Sequence, residues 1–217
     1  MTPKGNLVII SGFSGVGKGT VVHSLMSRHT GYALSVSCTT RAPRPGEKDG
    51  ADYFYITQKE FDSMIERGEF LEYARYVDHS YGTPGKYVKQ KLEEGLDVIL
   101  EIEIQGAMKV RRQYPEAVLI FIMPPDFETL KNRLAGRGSE TADVIRARLK
   151  RAAAESEGIE QYDYIFINDI ADDCADRIHR LLRSLRSRTS SNRAFIEKIR
   201  NQIEEFRKEN ANDSSII

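Results

Sequence analysis

The stretch Leu7-Val8-Ile9-Ile10-Ser11-Gly12-Phe13-Ser14-Gly15-Val16-Gly17-Lys18-Gly19-Thr20 decides how the rest of the chain is read. An apolar run over 7–10 leads into glycines and a lysine spaced G-x-x-x-x-G-K, the pattern of a phosphate-binding P-loop. Glycines let the backbone wrap an anion and turn its N–H groups inward. The helical pattern that starts near Lys18 aims the positive end of its dipole at the same anion. The lysine reaches the outer phosphates. The phosphate-contacting positions are therefore Gly12, Phe13, Ser14, Gly15, Val16, Gly17, Lys18, Gly19 and Thr20. Two of them depart from the usual pattern. Phe13 stands where a small residue or proline is common, and its side chain is expected to pack outward. Gly19 stands where Ser or Thr usually holds magnesium. No side chain is therefore assigned as a direct metal ligand, and Thr20 is left for the α-phosphate. Mg2+ is expected to be held chiefly by phosphate oxygens and water, in keeping with its reluctance to dehydrate.

Working outward, further apolar runs lie at 98–104, 118–123 and 164–167, and helical patterns at 18–29, 107–113, 127–134, 142–157 and 171–186. Short Val/Ile/Phe-rich runs read as strands buried on both faces. Strand alternating with helix predicts an α/β fold, a mostly parallel sheet with right-handed crossovers and helices on both sides. Between Gly31 and Gly95 the rhythm changes. Residues 32–37, 53–55 and 70–77 read as strands and 57–67 as a helix, with Thr57 and Glu60 forming a capping box and Gly68 just past the end. The expected organisation is a P-loop core over 1–34 and 96–187, a small α+β insertion over 35–95, and a charged tail over 188–217. Within the tail, Phe195, Ile199, Ile203 and Phe206 line one face of an expected helix. That face is expected to pack on the core or on a partner subunit, and 210–215 to be disordered.

Composition removes several classes of function. Among 217 residues, 32 Lys and Arg balance 32 Asp and Glu, so the basic excess of a nucleic-acid binder is missing. No stretch approaches 18 apolar residues, which argues against a membrane partner. Cys38 and Cys174 are far apart and lack metal-ligand spacing, which suits a reducing cytoplasm. His23, His29, His79 and His179 show no partners for a nucleophilic triad. A monomer or small homo-oligomer is expected.

The insertion carries the remaining chemistry. Residues 35–53 read SVSCTTRAPRPGEKDGADY. Arg41 and Arg44 flank Pro43 in a segment too proline-rich for a helix, and an extended chain can aim both guanidinium groups at one phosphate. Tyr53 and Tyr81 offer phenolic donors. Taken alone, Arg41, Arg44, Tyr53 and Tyr81 read more readily as a solvated basic loop with two core tyrosines than as a phosphate clamp, and Glu72 reads as a surface carboxylate or, after Phe70 and Leu71 in a strand, as a cleft residue.

The pattern Ser-Val-Ser-x-Thr-Thr-Arg-x-Pro-Arg resembles the monophosphate-binding segment of guanylate kinases. Further matches follow in order at Phe70-Leu71-Glu72, Tyr81-Gly82-Thr83, Glu101-Ile102-Glu103-Ile104-Gln105-Gly106, Arg133-Leu134, Gly136-Arg137-Gly138 and Asn168-Asp169. The resemblance covers roughly residues 6–187 and implies transfer of the γ-phosphoryl group of ATP, bound as Mg-ATP, to GMP. It implies that Ser37 and Glu72 read guanine with help from Thr83. Arg41, Arg44, Tyr53 and Tyr81 would hold the GMP phosphate, with Glu101 and Glu103 beside it, orienting water on Mg2+ or holding a clamp arginine. Many relatives carry Asp where Glu103 stands. Asn168 would join the ATP site. Residues 136–157 would form a helical lid whose Arg137 and Arg148 close on the ATP phosphates together with Arg133 and Lys18. For Arg148 the plain alternative is a solvated helix face. No general base is required, because the acceptor phosphate is largely ionised at neutral pH. Two rival readings stand beside this one. A phosphopeptide-binding scaffold of the same fold lacks the P-loop that this chain has, and a kinase for another nucleoside monophosphate is disfavoured by Ser37 with Glu72.

Overall fold

A computed structural model describes residues 4–76, 78–135 and 142–210. In chain order the strands are β1 (Leu7–Gly12), β2 (Tyr32–Leu34), β3 (Cys38–Thr39), β4 (Phe54–Tyr55), β5 (Phe70–Tyr76), β6 (His79–Pro84), β7 (Asp97–Glu101), β8 (Val118–Met123) and β9 (Tyr164–Ile167). The helices are α1 (Lys18–Arg28), α2 (Gln58–Glu66), α3 (Gly85–Glu93), α4 (Ile104–Gln113), α5 (Phe127–Ala135), α6 (Ala142–Ser156), α7 (Ala171–Leu185) and α8 (Arg193–Glu209).

Five strands form a parallel sheet in the order β2-β7-β1-β8-β9. Its central strand β1 shows why the sequence there is continuously apolar. Val8 and Ile10 face one way and join Val21 and Leu25 of α1 and Ile178 and Leu182 of α7. Leu7 and Ile9 face the other way and join Val88 and Leu92 of α3 and Ala107 and Val110 of α4. Side chains alternate across the pleat, so a strand covered on both faces is apolar at every position. Each such buried side chain contributes about 1.5–3 kcal/mol relative to exposure. The sheet places the turn after β1 and the end of β7 at the same carboxyl edge, where α/β folds bind ligands.

A second sheet has the order β4-β3-β6-β5. Cys38, Phe61 and Phe70 form its small core, with Phe61 supplied by α2. The Thr57 side chain caps α2 and the Glu60 side chain returns the bond, completing the predicted capping box. In the residues read as one strand over 32–37, β2 pairs with β7 in the first sheet, and the second sheet begins only at Cys38.

Other expectations need correction. The run over 98–104 does not continue as a strand. β7 ends at Glu101, and α4 starts at Ile104 with Glu103 as its extended N-cap. Ser11 Oγ donates to Ile102 O at 2.6 Å and fixes this exit. Ile102 and Ile104 are apolar because they pack against the two cores on either side of the turn. Helix α8 forms, but Phe195, Ile199, Ile203 and Phe206 are all exposed instead of packing on the core. Asn192 Nδ2 donates to the carbonyls of Arg186 and Arg188, redirecting the chain after α7. Two of the four histidines, His29 and His179, have side-chain partners. His29 Nε2 lies 2.7 Å from Asp176 Oδ1 and its ring stacks on His179, whose Nδ1 is 2.7 Å from the Tyr32 hydroxyl. These contacts join α1, β2 and α7 across a long sequence separation, out of reach of local spacing. No described helix is long and apolar enough to cross a membrane. Both cysteines are free and buried.

Candidate functional site

The phosphate loop is a backbone structure held from behind. Gly15 and Gly17 adopt φ of 83° and 91°, left-handed values that other residues rarely tolerate, and Gly17 is the N-cap of α1. A Cβ on Gly17 would also lie 2.8 Å from Asn168 Nδ2. Asn168 Nδ2 donates to Val16 O at 2.8 Å. Arg133 donates to Val16 O at 3.3 Å, Asn168 O at 2.8 Å and Asp169 O at 3.0 Å. Arg133 thus ties the loop to the β9–α7 junction. Lys18 Nζ folds back onto Gly12 O at 2.7 Å and Phe13 O at 3.4 Å. Phe13 packs inward, edge-on to Phe121 at 5.1 Å, which corrects the outward orientation expected of it. The loop neighbours Gly15, Val16, Gly17 and Thr20 line a cavity of about 300 Å³ with Arg133 and Asn168. Ser14 is half-buried within the loop.

The second sheet supplies side chains. Its packed face is occupied by Phe61 and Phe70, against which a Cβ on Gly82 would press. The opposite face carries Glu72, Thr83 and Tyr81, because Glu72 pairs with Thr83 and Tyr81 lies two residues before Thr83. Thr83 Oγ1 donates to Glu72 Oε1 at 2.8 Å, and Thr83 is fully buried. Glu72 is only 8% exposed, and burial raises its pKa against the opposing pull of the Thr83 hydrogen bond and the Lys109 charge. Tyr81 sits 6.0 Å from Tyr53, and the Arg41 guanidinium lies 5.4 Å over the Tyr53 ring. Burial raises the Tyr53 pKa. Ser37 is half-buried just before β3, with its carbonyl accepting from Phe54 N.

Glu47 organises this region, although the sequence reading assigned it no role. It takes a two-point contact from Arg41 at 2.9 and 3.0 Å, a bond from Arg44 N at 2.7 Å and one from the Tyr55 hydroxyl at 2.8 Å. The Arg41 bond, followed by that from Arg44, holds its carboxyl down to about 2. The signal lay in the Pro-Gly-Glu turn directly after Arg44. Arg44 itself is exposed, and its guanidinium has no partner among the described residues.

Glu101 connects the two halves. It ends β7 and is exposed at the surface, yet the protein packed around its carboxyl desolvates it enough to raise its pKa. The Lys18 charge pulls it down and Glu103 pushes it up, while its own charge acts on Tyr53. A Cβ on Gly19 would lie 3.8 Å from both Glu101 carboxylate oxygens. Glu103 caps α4 and is exposed. Arg148 lies half-buried on α6. Arg137 and residues 136–141 of the expected lid lie outside the described residues.

A glycine loop between the central strand and a helix, at the carboxyl edge of a parallel sheet, defines a P-loop nucleotide-binding protein. The family model for guanylate kinase matches residues 4–185. The chain is 49% identical to a guanylate kinase of Oceanobacillus iheyensis over 83% of this chain and 88% of that protein. It is 45% identical to one of Caldanaerobacter subterraneus subsp. tengcongensis over 92% of this chain and 97% of that one. The crystal structure of guanylate kinase from Anaplasma phagocytophilum superposes with a TM-score of 0.71 at 34% identity, covering 87% of this chain and 89% of that one. The chain belongs to the guanylate kinase family, and it is an enzyme of the nucleoside monophosphate kinase class.

Proposed function

We propose that the protein transfers the γ-phosphoryl group of ATP to GMP, giving ADP and GDP. The observation that carries this reading is Glu72. It is a buried carboxylate whose only hydrogen-bond donor among the described residues is Thr83. A buried charge served by a single residue is costly until a ligand supplies more donors. Guanine presents two adjacent donors, N1–H and the exocyclic amine, and adenine lacks that pair. Ser37 adds a hydroxyl near the same strand end. Arg41, Arg44, Tyr53 and Tyr81 receive the GMP phosphate, with Arg41 pre-oriented by Glu47. The ATP phosphates lie in the Gly12–Thr20 loop, next to the cavity that Arg133 and Asn168 line.

Catalysis on this reading is positioning and charge neutralisation without a general base. Lys18 leaves the loop carbonyls and follows the phosphoryl group. Arg133 keeps the loop in place, while Arg148 and Arg137 belong to the segment that closes over it. Magnesium fits the donor set, since the hard carboxylate oxygens of Glu101 stand beside the hydroxyl-free position 19. Glu101 would hold the ion through water, and the ion supplies charge neutralisation when bound. The division into a core over 1–34 and 96–187, an acceptor-binding unit over 35–95 and a lid over 136–157 belongs to the same proposal.

A coupled ADP-release assay with GMP, AMP, CMP and UMP tests it. The expected result is turnover with GMP at least about 100-fold above the others in kcat/KM. Equal rates with AMP and GMP would sink the guanine assignment.

A further inference from the structure

Gly106 is the third residue of α4, and it is buried. A glycine inside a helix costs up to about 1 kcal/mol relative to alanine, so its presence calls for a cause. The backbone does not supply one, because Gly106 is not among the residues with positive φ. The surrounding space does. A Cβ at this position would lie 3.0 Å from Glu72 Oε2, 3.3 Å from Glu72 Cδ and 3.5 Å from Ile102 Cδ1. The carboxylate has little room to retreat. Its other oxygen is fastened by the fully buried Thr83, and its neighbour Leu71 is locked into the core beneath α4. Gln113 Nε2 and Lys109 Nζ, from the same helix, bind the carbonyls of Leu71 and Tyr73 on either side of Glu72. Helix and strand therefore cannot part easily to make space.

We propose that Gly106 is a positioning residue for base recognition: the missing side chain on α4 lets Glu72 hold its second carboxylate oxygen in the plane needed to accept from guanine. The inference rests on the guanine reading of Glu72 given above. A methyl group at 106 turns or pushes the carboxylate while Thr83 pins its other oxygen. Two-point acceptance then fails before one-point acceptance does. GMP uses both donors of its base edge, whereas inosine monophosphate has N1–H and no exocyclic amine. Displacement of the carboxylate consequently hurts GMP more than inosine monophosphate.

The test is Gly106→Ala in the full chain, measured with ATP and either GMP or inosine monophosphate. The expected result is a rise of about tenfold in KM for GMP, with kcat and KM for ATP changed by less than about threefold. The preference for GMP over inosine monophosphate narrows by a similar factor. Thermal unfolding stays cooperative. Glu72→Asp withdraws the carboxylate by one methylene, so adding Gly106→Ala to that variant costs less than about twofold in KM for GMP. An unchanged GMP KM and unchanged preference overturn the inference, as do penalties that add independently in the double variant. Loss of cooperative unfolding in Gly106→Ala overturns it too, because the glycine would then serve packing. A wild-type enzyme without GMP turnover would overturn the guanine reading itself. Wild-type GMP turnover with an unaltered Gly106→Ala variant overturns this inference alone.

Discussion

The two sheets offer different atoms for binding. The five-stranded sheet presents backbone: a loop of glycines whose conformation is held by Asn168 and Arg133 through Val16 O. The four-stranded sheet presents side chains: Glu72, Thr83 and Tyr81 on one face, with Arg41 and Tyr53 against it. A backbone cradle recognises phosphate charge whatever the rest of the ligand is. On the proposed reading, a set of side chains recognises the pattern of donors on one base. The supports differ as well. β1, β7 and β8 are buried on both faces, whereas the described hydrophobic cluster of the second sheet has Cys38, Phe61 and Phe70 as its buried members. A small core implies a lower free energy of local opening.

The strongest way to break this comparison is Lys18→Ala. Removing the lysine cation of the backbone cradle is expected to lower kcat about 10³-fold, while calorimetric GMP affinity changes by less than about threefold. Loss of GMP binding in this variant would show that the two halves do not divide the substrates between them.

Glu72→Gln sharpens the side-chain half. We expect kcat/KM for GMP to fall by at least about 100-fold with KM for ATP unchanged. Stability should move the other way. Burial raises the Glu72 pKa in the folded state, so the folded protein holds that proton more tightly than the unfolded chain. Stability is then withheld as pH rises from the ordinary carboxylate range through the raised value. The uncharged amide removes that loss, and Tm at pH 7 should increase. In the unaltered enzyme, kcat/KM for GMP should fall on the acid side as Glu72 protonates, and the variant should lack that limb. A lower Tm with retained GMP preference would refute the assignment.

The smallest expected effect comes from Thr57→Ala, which removes the capping box of α2. The cost is about 1 kcal/mol, or about 2–4 °C in Tm if the protein unfolds in one step. Turnover at saturating substrate should be unaffected. Hydrogen exchange should accelerate in α2 and β3–β6 with the five-stranded sheet unchanged. Equal acceleration in both sheets would mean that they open as one unit.

The legibility of the two halves in the sequence follows the same division. The phosphate loop is local: strand, glycines, lysine and helix are contiguous over 7–20, and their spacing reports the backbone geometry directly. The capping box at Thr57 and Glu60 was legible for the same reason. Glu47 was not, because a carboxylate in a turn looks solvated until Arg41 and Tyr55 are seen to meet there. His29 and His179 lacked partners in the sequence for the same reason. At Ile102 and Ile104 an apolar run was read as strand where two cores meet at a helix start, a distinction that periodicity cannot make in so few residues.

The sequence by itself determined the α/β order, the phosphate loop and the residue types available to the acceptor pocket. These depend on φ/ψ preference and on hydrophobic period, both of which act within a few residues. The tertiary structure decided that Glu101 stands between Lys18 and Tyr53, that Glu72 is buried with Thr83 as its donor, that Gly106 lies against it, and that the apolar face of α8 remains exposed. Those are distances between residues remote along the chain. They are set by how two sheets and their helices pack, and no local spacing records them.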